Sequence, residues 1–176
     1  MRLTNRIIIV GFGSIAQALL PLLVENYNAE IIIFDKEADK PRQDIAKEFF
    51  ATLNRKFITS DNFSDILSPL LNNNSFLLNL AVSVSSIALI DLAQRYNTLY
   101  LDTCIEPWEY SNQTNDNFIS NHYLRESLKT YAQAPTGTTT ALVAHGANPG
   151  FISILLKKAL LEMASINGIH DRPTIQ

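Results

Sequence analysis

The sequence predicts an α/β fold in which helices cover both faces of a doubly wound parallel sheet of about six strands. Short runs of β-branched and apolar residues alternate with longer amphipathic stretches, at a spacing of roughly 25–30 residues. Runs such as Arg6–Val10 (RIIIV) are continuously apolar, which is typical of strands buried on both faces. The chain has 176 residues, 47% of them hydrophobic, enough for one domain with a substantial core.

Six segments are predicted as strands from their β-branched and apolar content. They are Arg6–Val10, Glu30–Phe34, Lys56–Thr59, Ser75–Leu80, Thr98–Leu101 and Thr140–Ala144. The first is followed by Gly11, the second by Asp35 and the fifth by Asp102. Glycine and acidic residues therefore lie where strands end, at the sheet edge where ligands of open α/β folds bind.

Helical periodicity predicts the segments between the strands. They are Ser14–Glu25, Asp44–Leu53, Asp65–Leu71, Ser85–Tyr96, Phe118–Ala134 and a last helix from Pro149 to about Ala164. Pro21 lies inside the first helix and predicts a kink or a shortened first part, and Ser85 or Ser86 is the expected N-cap of the fourth. Polar residues predict a loop over Glu106–Asn117, and the aperiodic tail Ile166–Gln176 is expected to fray.

Composition excludes several classes of protein. The net charge of −3 predicts no nucleic-acid partner, and no run of 18 apolar residues indicates a membrane span. A lone cysteine, Cys104, excludes an intramolecular disulfide framework or a cysteine zinc site, and no metal site is predicted. The basic start at Arg2 and Arg6 leads into a strand and a glycine turn, unlike a signal peptide, so the expected compartment is the cytoplasm.

A glycine motif joins the first strand to the first helix. Residues 11–16 read Gly-Phe-Gly-Ser-Ile-Ala, the pattern G-x-G-x-x-A, in which Gly11 allows a tight turn and Gly13 lets the backbone approach a pyrophosphate. Asp35 ends the second strand 24 residues after Gly11, where a carboxylate accepts the ribose hydroxyls and repels a 2′-phosphate. The pattern predicts an NAD site. The alternative is a glycine turn without a nucleotide, with Asp35 as a solvated turn residue.

The fourth strand ends in small residues, Asn79–Ser83 (NLAVS). At the carboxyl edge of the sheet they would line the adenosine and pyrophosphate of a dinucleotide. The alternative is an ordinary strand-to-helix connection capped by Ser83 or Ser85. The two interpretations are compatible.

An acidic loop follows the fifth strand. No Lys or Arg occurs in residues 96–124, a stretch that holds four carboxylates. These are Asp102, Glu106, Glu109 and Asp116. Such a loop would attract a cationic ligand, and Trp108 would offer an ammonium group a cation–π face. The alternative is a solvated acidic loop with Trp108 packed on the core.

The segment His145–Gly150 (HGANPG) joins the last strand to the last helix. Asn148 is predicted either as the helix N-cap or as a hydrogen-bonding group aimed at the nicotinamide ribose or the substrate. His145 is a candidate proton carrier, although a single histidine at a strand end is more often structural. Cys104 is a weaker candidate nucleophile because no His–Asn pairing accompanies it.

Taken together, five segments of the chain resemble the N-terminal part of bacterial homospermidine synthases, in the saccharopine-dehydrogenase-like group. They read GFGSIAQALLPLL, FD, LNLAVSVSS, LDTCIEPW and TTALVAHGANPGFIS. The resemblance covers nearly all of residues 7–164, and the LDTCIEPW and HGANPG segments are more specific than the glycine motif.

This resemblance implies a reaction. Homospermidine synthases join two putrescine molecules into homospermidine with release of ammonia. A tightly held NAD takes a hydride from putrescine and later returns it to the imine of the coupled product, so the family is a transferase with no net redox change. The resemblance thus implies NAD as the cofactor and putrescine, a dication, as the substrate.

The resemblance also implies site residues. Those that would hold NAD are Gly11, Gly13, Ser14, Ile15 and Asp35, flanked by Leu80, Ala81, Asp102 and Thr103. Asn148 would lie near the nicotinamide and the substrate and is the implied catalytic residue. Trp108 and Glu106 are the implied polyamine contacts.

Members of that family are homodimers and much longer than this chain, with a second α/β domain. We therefore expect a Rossmann-type NAD-binding domain at residues 1–150, and at 151–176 a helix leading to a missing C-terminal domain plus a frayed tail. Two alternatives stay open: a catalytically silent NAD-binding fragment, and a saccharopine-type oxidoreductase. The acidic loop counts against the latter, because an amino-acid carboxylate would require a cation there.

Overall fold

Six parallel strands form one sheet within residues 4–108, 121–144 and 151–168, the parts of the chain that the computed structural model describes. The strands are β1 (Arg6–Val10), β2 (Glu30–Asp35), β3 (Thr52–Arg55), β4 (Ser75–Asn79), β5 (Leu99–Asp102) and β6 (Ala141–Leu142). Their order across the sheet is β3-β2-β1-β4-β5-β6. This is the predicted doubly wound α/β fold.

The strand order reverses next to β1. The chain runs from β1 outward through β2 and β3, and then returns to place β4 on the other side of β1. Ile8 of β1 is consequently in register with Ile32 of β2 and with Leu77 of β4. Open α/β sheets bind ligands at such a reversal, in the crevice beyond the carboxyl ends of the strands.

Helices connect the strands. They are α1 (Ser14–Asn26), α2 (Lys40–Glu48), α3 (Phe63–Leu67) with a 3₁₀ turn at Ser68–Leu70, α4 (Ser86–Arg95), α5 (Asn121–Gln133) and α6 (Phe151–Ile166). Ser85 caps α4 by accepting a hydrogen bond from the Ala88 N–H at 3.3 Å, as the sequence predicts. Helix α1 runs through Pro21 and stays one element. Within the described ranges, no helix is both long and apolar enough to cross a bilayer.

The predicted positions of the second helix and the third strand are wrong. Asp39 begins α2 by accepting a hydrogen bond from the Arg42 N–H, so that helix lies earlier than Asp44–Leu53. Phe50, at φ +53°, turns the chain sharply after α2. Strand β3 then pairs with β2 before Lys56–Thr59 is reached. Because β3 is an edge strand and half-exposed, its sequence TLNR lacks the apolar run that marks a buried strand.

The bounds of the other helices and strands differ less from the predicted ones. Strand β6 has two residues in place of the predicted five, because it pairs with β5 only opposite Tyr100 and Leu101. The predicted fifth helix began at Phe118, and residues 118–120 lie outside the described part of the chain, as does the tail from Ile169 onward.

The core has two halves, one on each face of the sheet. Ile7 and Ile9 of β1 pack on the side of α1, while Ile8 and Val10 pack on the side of α4. The three isoleucines are completely buried, and each burial of this kind contributes about 1.5–3 kcal/mol. The RIIIV run is therefore apolar on both faces because helices cover both.

Gly11 lies close to the backbone that follows β4. Its φ is +93°, and a Cβ built there would lie 2.7–2.8 Å from the backbone of Leu80 and Ala81, which follow β4. Only glycine fits that approach.

We expect Gly11→Ala to lower the free energy of unfolding by about 3 kcal/mol or more, because positive φ and an overlap with backbone atoms combine. Gly168→Ala is the matched control: Gly168 also has positive φ, +70°, but no atom lies within 4 Å of its Cβ position. Urea unfolding of both variants measures the difference. Equal losses in the two variants would show that the contact with Ala81 carries no cost.

Candidate dinucleotide-binding site

A cleft of about 380 Å³ opens at the point where the strand order reverses. Its walls come from the carboxyl ends of β1 and β2, from the glycine turn before α1, and from the loops that follow β3 and β4. Five of the site residues implied by the resemblance line it, as do Val82 and Ser83 of the predicted small-residue segment. The five are Gly11, Gly13, Asp35, Leu80 and Ala81. The fold thus brings together two motifs that are about 70 residues apart in the chain.

Backbone hydrogen bonds hold the glycine turn between its neighbouring strands. The Gly11 N–H donates to the Phe34 carbonyl at 2.8 Å, and the Leu80 N–H donates to the Val10 carbonyl at 2.8 Å. With the Gly11 contact described above, these bonds set the floor of the cleft.

Gly13 has neither a positive φ nor a close contact that requires glycine. It is the N-cap of α1 with an ordinary φ of −77°, and a Cβ built there would meet nothing within 4 Å. No side chain caps the first turn of α1. An uncapped helix start that faces a cleft is suited to an anion such as a pyrophosphate. Ser14 and Ile15 follow Gly13 and are exposed.

Asp35 holds the glycine turn in addition to lining the cleft. Its Oδ2 accepts a hydrogen bond from the Phe12 N–H at 2.5 Å, and its Oδ1 accepts one from the Glu37 N–H at 2.8 Å. Each carboxylate oxygen has a further lone pair, so the group is still able to accept a ribose hydroxyl. Sequence reasoning assigned only the ribose contact and missed the bond to Phe12.

Sequence reasoning also missed a set of cleft residues that follow β2 and β3. They are Lys36, Glu37, Arg42, Lys56 and Phe57. Lys56 and Phe57 were missed because residues 56–59 were predicted as a strand, whereas they follow β3. The rule that ligands bind beyond the carboxyl ends of strands would have found them once the strand was correctly placed.

The acidic residue Glu106 is bound to the loop between β4 and α4. Its Oε2 accepts a hydrogen bond from the N–H of Ser83, a cleft residue in the left-handed conformation at φ +59°. Its backbone N–H donates to the Ser86 Oγ at 3.0 Å, and its carbonyl accepts from the Ser86 N–H at 2.9 Å. Glu106 therefore supports one wall of the cleft, and it is 8% exposed.

Asp102 is completely buried and does not line the cleft. Its Oδ2 accepts from the Tyr100 hydroxyl at 3.0 Å, and its Oδ1 accepts from the Ala144 N–H at 2.7 Å. Burial raises the pKa of the Asp102 carboxyl, against the lowering effect of these hydrogen bonds, and burial also raises the pKa of Tyr100. In this structure Asp102 ties β5 to the end of β6. Its contact with a cofactor, like that of the half-buried Thr103, stays a prediction.

Trp108 packs on the core. Its ring lies 5.2 Å from that of Phe63, tilted by 52°, which matches the alternative of a core-packed tryptophan. Cys104 is poorly suited to be a nucleophile, because desolvation and the nearby Glu106 raise the pKa of its thiol. His145, Asn148, Glu109 and Asp116 lie outside the described residues, so the predictions for them stay predictions.

A parallel sheet of this order, with a glycine turn and a strand-end aspartate around a cleft at the reversal, defines the Rossmann-type dinucleotide-binding class. Residues 7–142 match the family described as the saccharopine dehydrogenase NADP binding domain. The chain belongs to this family.

Two relatives make the similarity more specific. The chain is 32% identical to a homospermidine synthase of Blastochloris viridis, over 98% of this chain and 38% of that protein. It is 30% identical to a homospermidine synthase of Mesorhizobium japonicum, over 96% of this chain and 36% of that protein. The chain therefore spans little more than a third of the length of these relatives. The resemblance drawn from the motifs is confirmed.

Two solved structures are also similar to this chain. A homospermidine synthase from Legionella pneumophila in complex with NAD has a TM-score of 0.82 and 33% identity, covering 97% of this chain and 36% of that one. An apo saccharopine dehydrogenase (L-Glu forming) from Saccharomyces cerevisiae has a TM-score of 0.62 at 18% identity, covering 90% of this chain and 31% of that one, and supports the fold alone.

The buried carboxyl of Asp102 gives a prediction on pH. A carboxyl whose folded pKa is raised stabilises the fold below its unfolded pKa, and this contribution is lost as pH rises through the folded value. Asp102→Asn keeps a carbonyl oxygen for Ala144 and removes the titration. As pH rises from about 4, the ordinary pKa of an aspartate, we expect the free energy of unfolding of Asp102→Asn to increase relative to that of the parent, by about 1.4 kcal/mol for each unit by which burial raises the pKa.

Urea unfolding at several pH values makes this measurement. Asp44→Asn, at an exposed position of α2, is the control for loss of one carboxylate. A difference between Asp102→Asn and the parent that does not change with pH would contradict the prediction.

Proposed function

We propose that this chain is the NAD-binding part of a homospermidine synthase. The observation that carries the proposal is Gly13, a glycine without a conformational or packing reason, at the uncapped start of α1 over the cleft. Space that the protein leaves open there is space for a pyrophosphate. The NAD complex of the similar Legionella pneumophila enzyme supports this choice of ligand.

The residues present fit NAD. Gly11 shapes the turn, Gly13 and the first turn of α1, at Ser14 and Ile15, would receive the phosphates, and Asp35 would accept the adenosine ribose hydroxyls. Leu80 and Ala81 would flank the cofactor from the β4 side, with Asp102 and Thr103 beyond them. Asn148 would lie near the nicotinamide and the substrate.

The charge of the loop after β5 supports a polyamine substrate. When bound, NAD supplies an acceptor and donor of hydride, so that putrescine amines are exchanged without net oxidation. Among the described residues, no ion pair neutralises Glu106. A protonated amine would supply the missing positive charge, with Glu106 as its acceptor and Trp108 beside it. The alternative of an amino-acid oxidoreductase has no such support.

The extent of the domain is part of the proposal. Residues 1–150 would form the dinucleotide-binding domain, and α6 would lead to a second domain in a cytoplasmic, homodimeric enzyme. Support comes from apolar side chains of α6 that are 42–83% exposed. They are Ile154, Leu155, Leu156, Leu161, Met163 and Ile166. A helix with apolar residues all round is normally covered by other structure.

Binding of NAD tests the cofactor. We expect titration calorimetry to show binding to the parent chain and a loss of about tenfold or more in affinity for Gly13→Ala, because a Cβ would enter the pyrophosphate position. The same variant should lose no more than about 1 kcal/mol of stability in urea, because the methyl group meets no atom within 4 Å and only the preference of an N-cap for glycine over alanine is lost. Absence of NAD binding to the parent would reject the proposal, and equal affinity of the two would reject the role of Gly13.

A chimera tests the reaction. Joined to the remaining two thirds of the Blastochloris viridis enzyme and supplied with NAD, the chain should convert two putrescine molecules into homospermidine and ammonia. Mass spectrometry detects the homospermidine, and no NADH should accumulate. The Gly13→Ala chimera should form less product at limiting NAD and recover when NAD is raised about tenfold or more. Steady NADH formation with an amino acid would favour the oxidoreductase instead. A folded chimera that binds NAD but makes no homospermidine would indicate that this chain is only an NAD-binding module.

A further inference from the structure

The end of the cleft near Asp35 contains more positive charge than an NAD site requires. Lys36, Arg42 and Lys56 line it together with two carboxylates, Asp35 and Glu37. An arginine near the end of the second strand is what accommodates the 2′-phosphate of NADP in folds of this kind. Asp35 would repel that phosphate, while the three cations would attract it. The choice between the two dinucleotides therefore depends on how these charges are paired.

Arg42 is held by two carboxylates. Its Nη1 lies 2.7 Å from Glu37 Oε2 and 2.8 Å from Asp39 Oδ2. Asp39 also caps helix α2, because its Oδ1 accepts a hydrogen bond from the Arg42 N–H at 3.1 Å. Glu37 has no cap to make, and its side chain is 54% exposed. Glu37 is thus the partner of Arg42 whose charge is removable without loss of a helix cap.

Glu37 is also tied to Asp35. Its backbone N–H donates to Asp35 Oδ1, the carboxylate predicted to accept the ribose. Contacts therefore run from the ribose position through Asp35 and Glu37 to Arg42. Asp35 is a poor place to alter the specificity, because its other oxygen holds the glycine turn through Phe12.

On the basis of the proposed NAD site, we propose that Glu37 determines the preference for NAD over NADP by restraining Arg42. Its carboxylate neutralises the guanidinium, so a 2′-phosphate meets the negative charge of Asp35 without a free arginine to pair with. Without that charge, Arg42 keeps only Asp39 and turns toward the phosphate, with Lys36 and Lys56 beside it. Glu37 acts as a positioning residue in this proposal, because its effect on the phosphate is exerted through Arg42.

The test compares the affinities of NAD and NADP by titration calorimetry. The parent should prefer NAD. Glu37→Gln should raise the affinity for NADP about fivefold and change that for NAD by less than about twofold, since an exposed ion pair has only a modest effect. Adding Arg42→Gln should abolish the gain. Glu48→Gln, an equal charge change at the exposed far end of α2, should leave both affinities unchanged.

The outcomes separate the two proposals. A parent that binds neither dinucleotide rejects the proposed function. A parent that binds NAD, with the same NADP to NAD ratio in Glu37→Gln, overturns the inference and leaves the function standing. A gain that persists in the double variant, or that also appears in Glu48→Gln, overturns it as well, because Arg42 would then not be the responsible group. Thermal midpoints close to that of the parent confirm that each variant is folded.

Discussion

The close contact between Gly11 and the backbone of Leu80 and Ala81 is the constraint on which the cleft depends. It brings the turn after β1 against the loop after β4, at the only place where the order of strands reverses within the described sheet. Any side chain at residue 11 would push the two segments apart. Since the same segments form the floor and one wall of the cleft, the packing of the fold and the shape of the candidate site come from one contact.

Polar residues around this contact serve both the fold and the candidate site. Asp35 lines the cleft and accepts from the Phe12 N–H, and Glu106 accepts from the N–H of Ser83 in the wall of the cleft. Such residues are poorly tested by removing their side chains, because loss of function and loss of local structure coincide. Gly13 and Glu37 are better positions for such tests. No close contact requires glycine at residue 13, and the side chain of Glu37 contributes only an exposed ion pair.

Much of the fold followed from pattern alone. RIIIV and EIIIF are apolar because strands in the middle of a parallel sheet are buried on both faces, and Ser85 was recognisable as a cap. The third strand was misplaced for the same physical reason. An edge strand such as TLNR is half-exposed and lacks that run, whereas KFIT, which has more apolar character, contributes Ile58 to the core from outside the sheet. That error concealed Lys56 and Phe57 as cleft residues.

The sequence by itself determined the class of fold, the glycine turn, the strand-end aspartate and the resemblance to homospermidine synthases. Each of these depends on residues that are near one another in the chain or that recur with a regular period. Only the tertiary structure decided which side chains share the cleft, that Asp102 is buried against Tyr100 and Ala144, and that Arg42 is paired with Glu37 and Asp39. Those facts depend on which elements pack side by side and where each side chain ends, and no local pattern in the sequence records that.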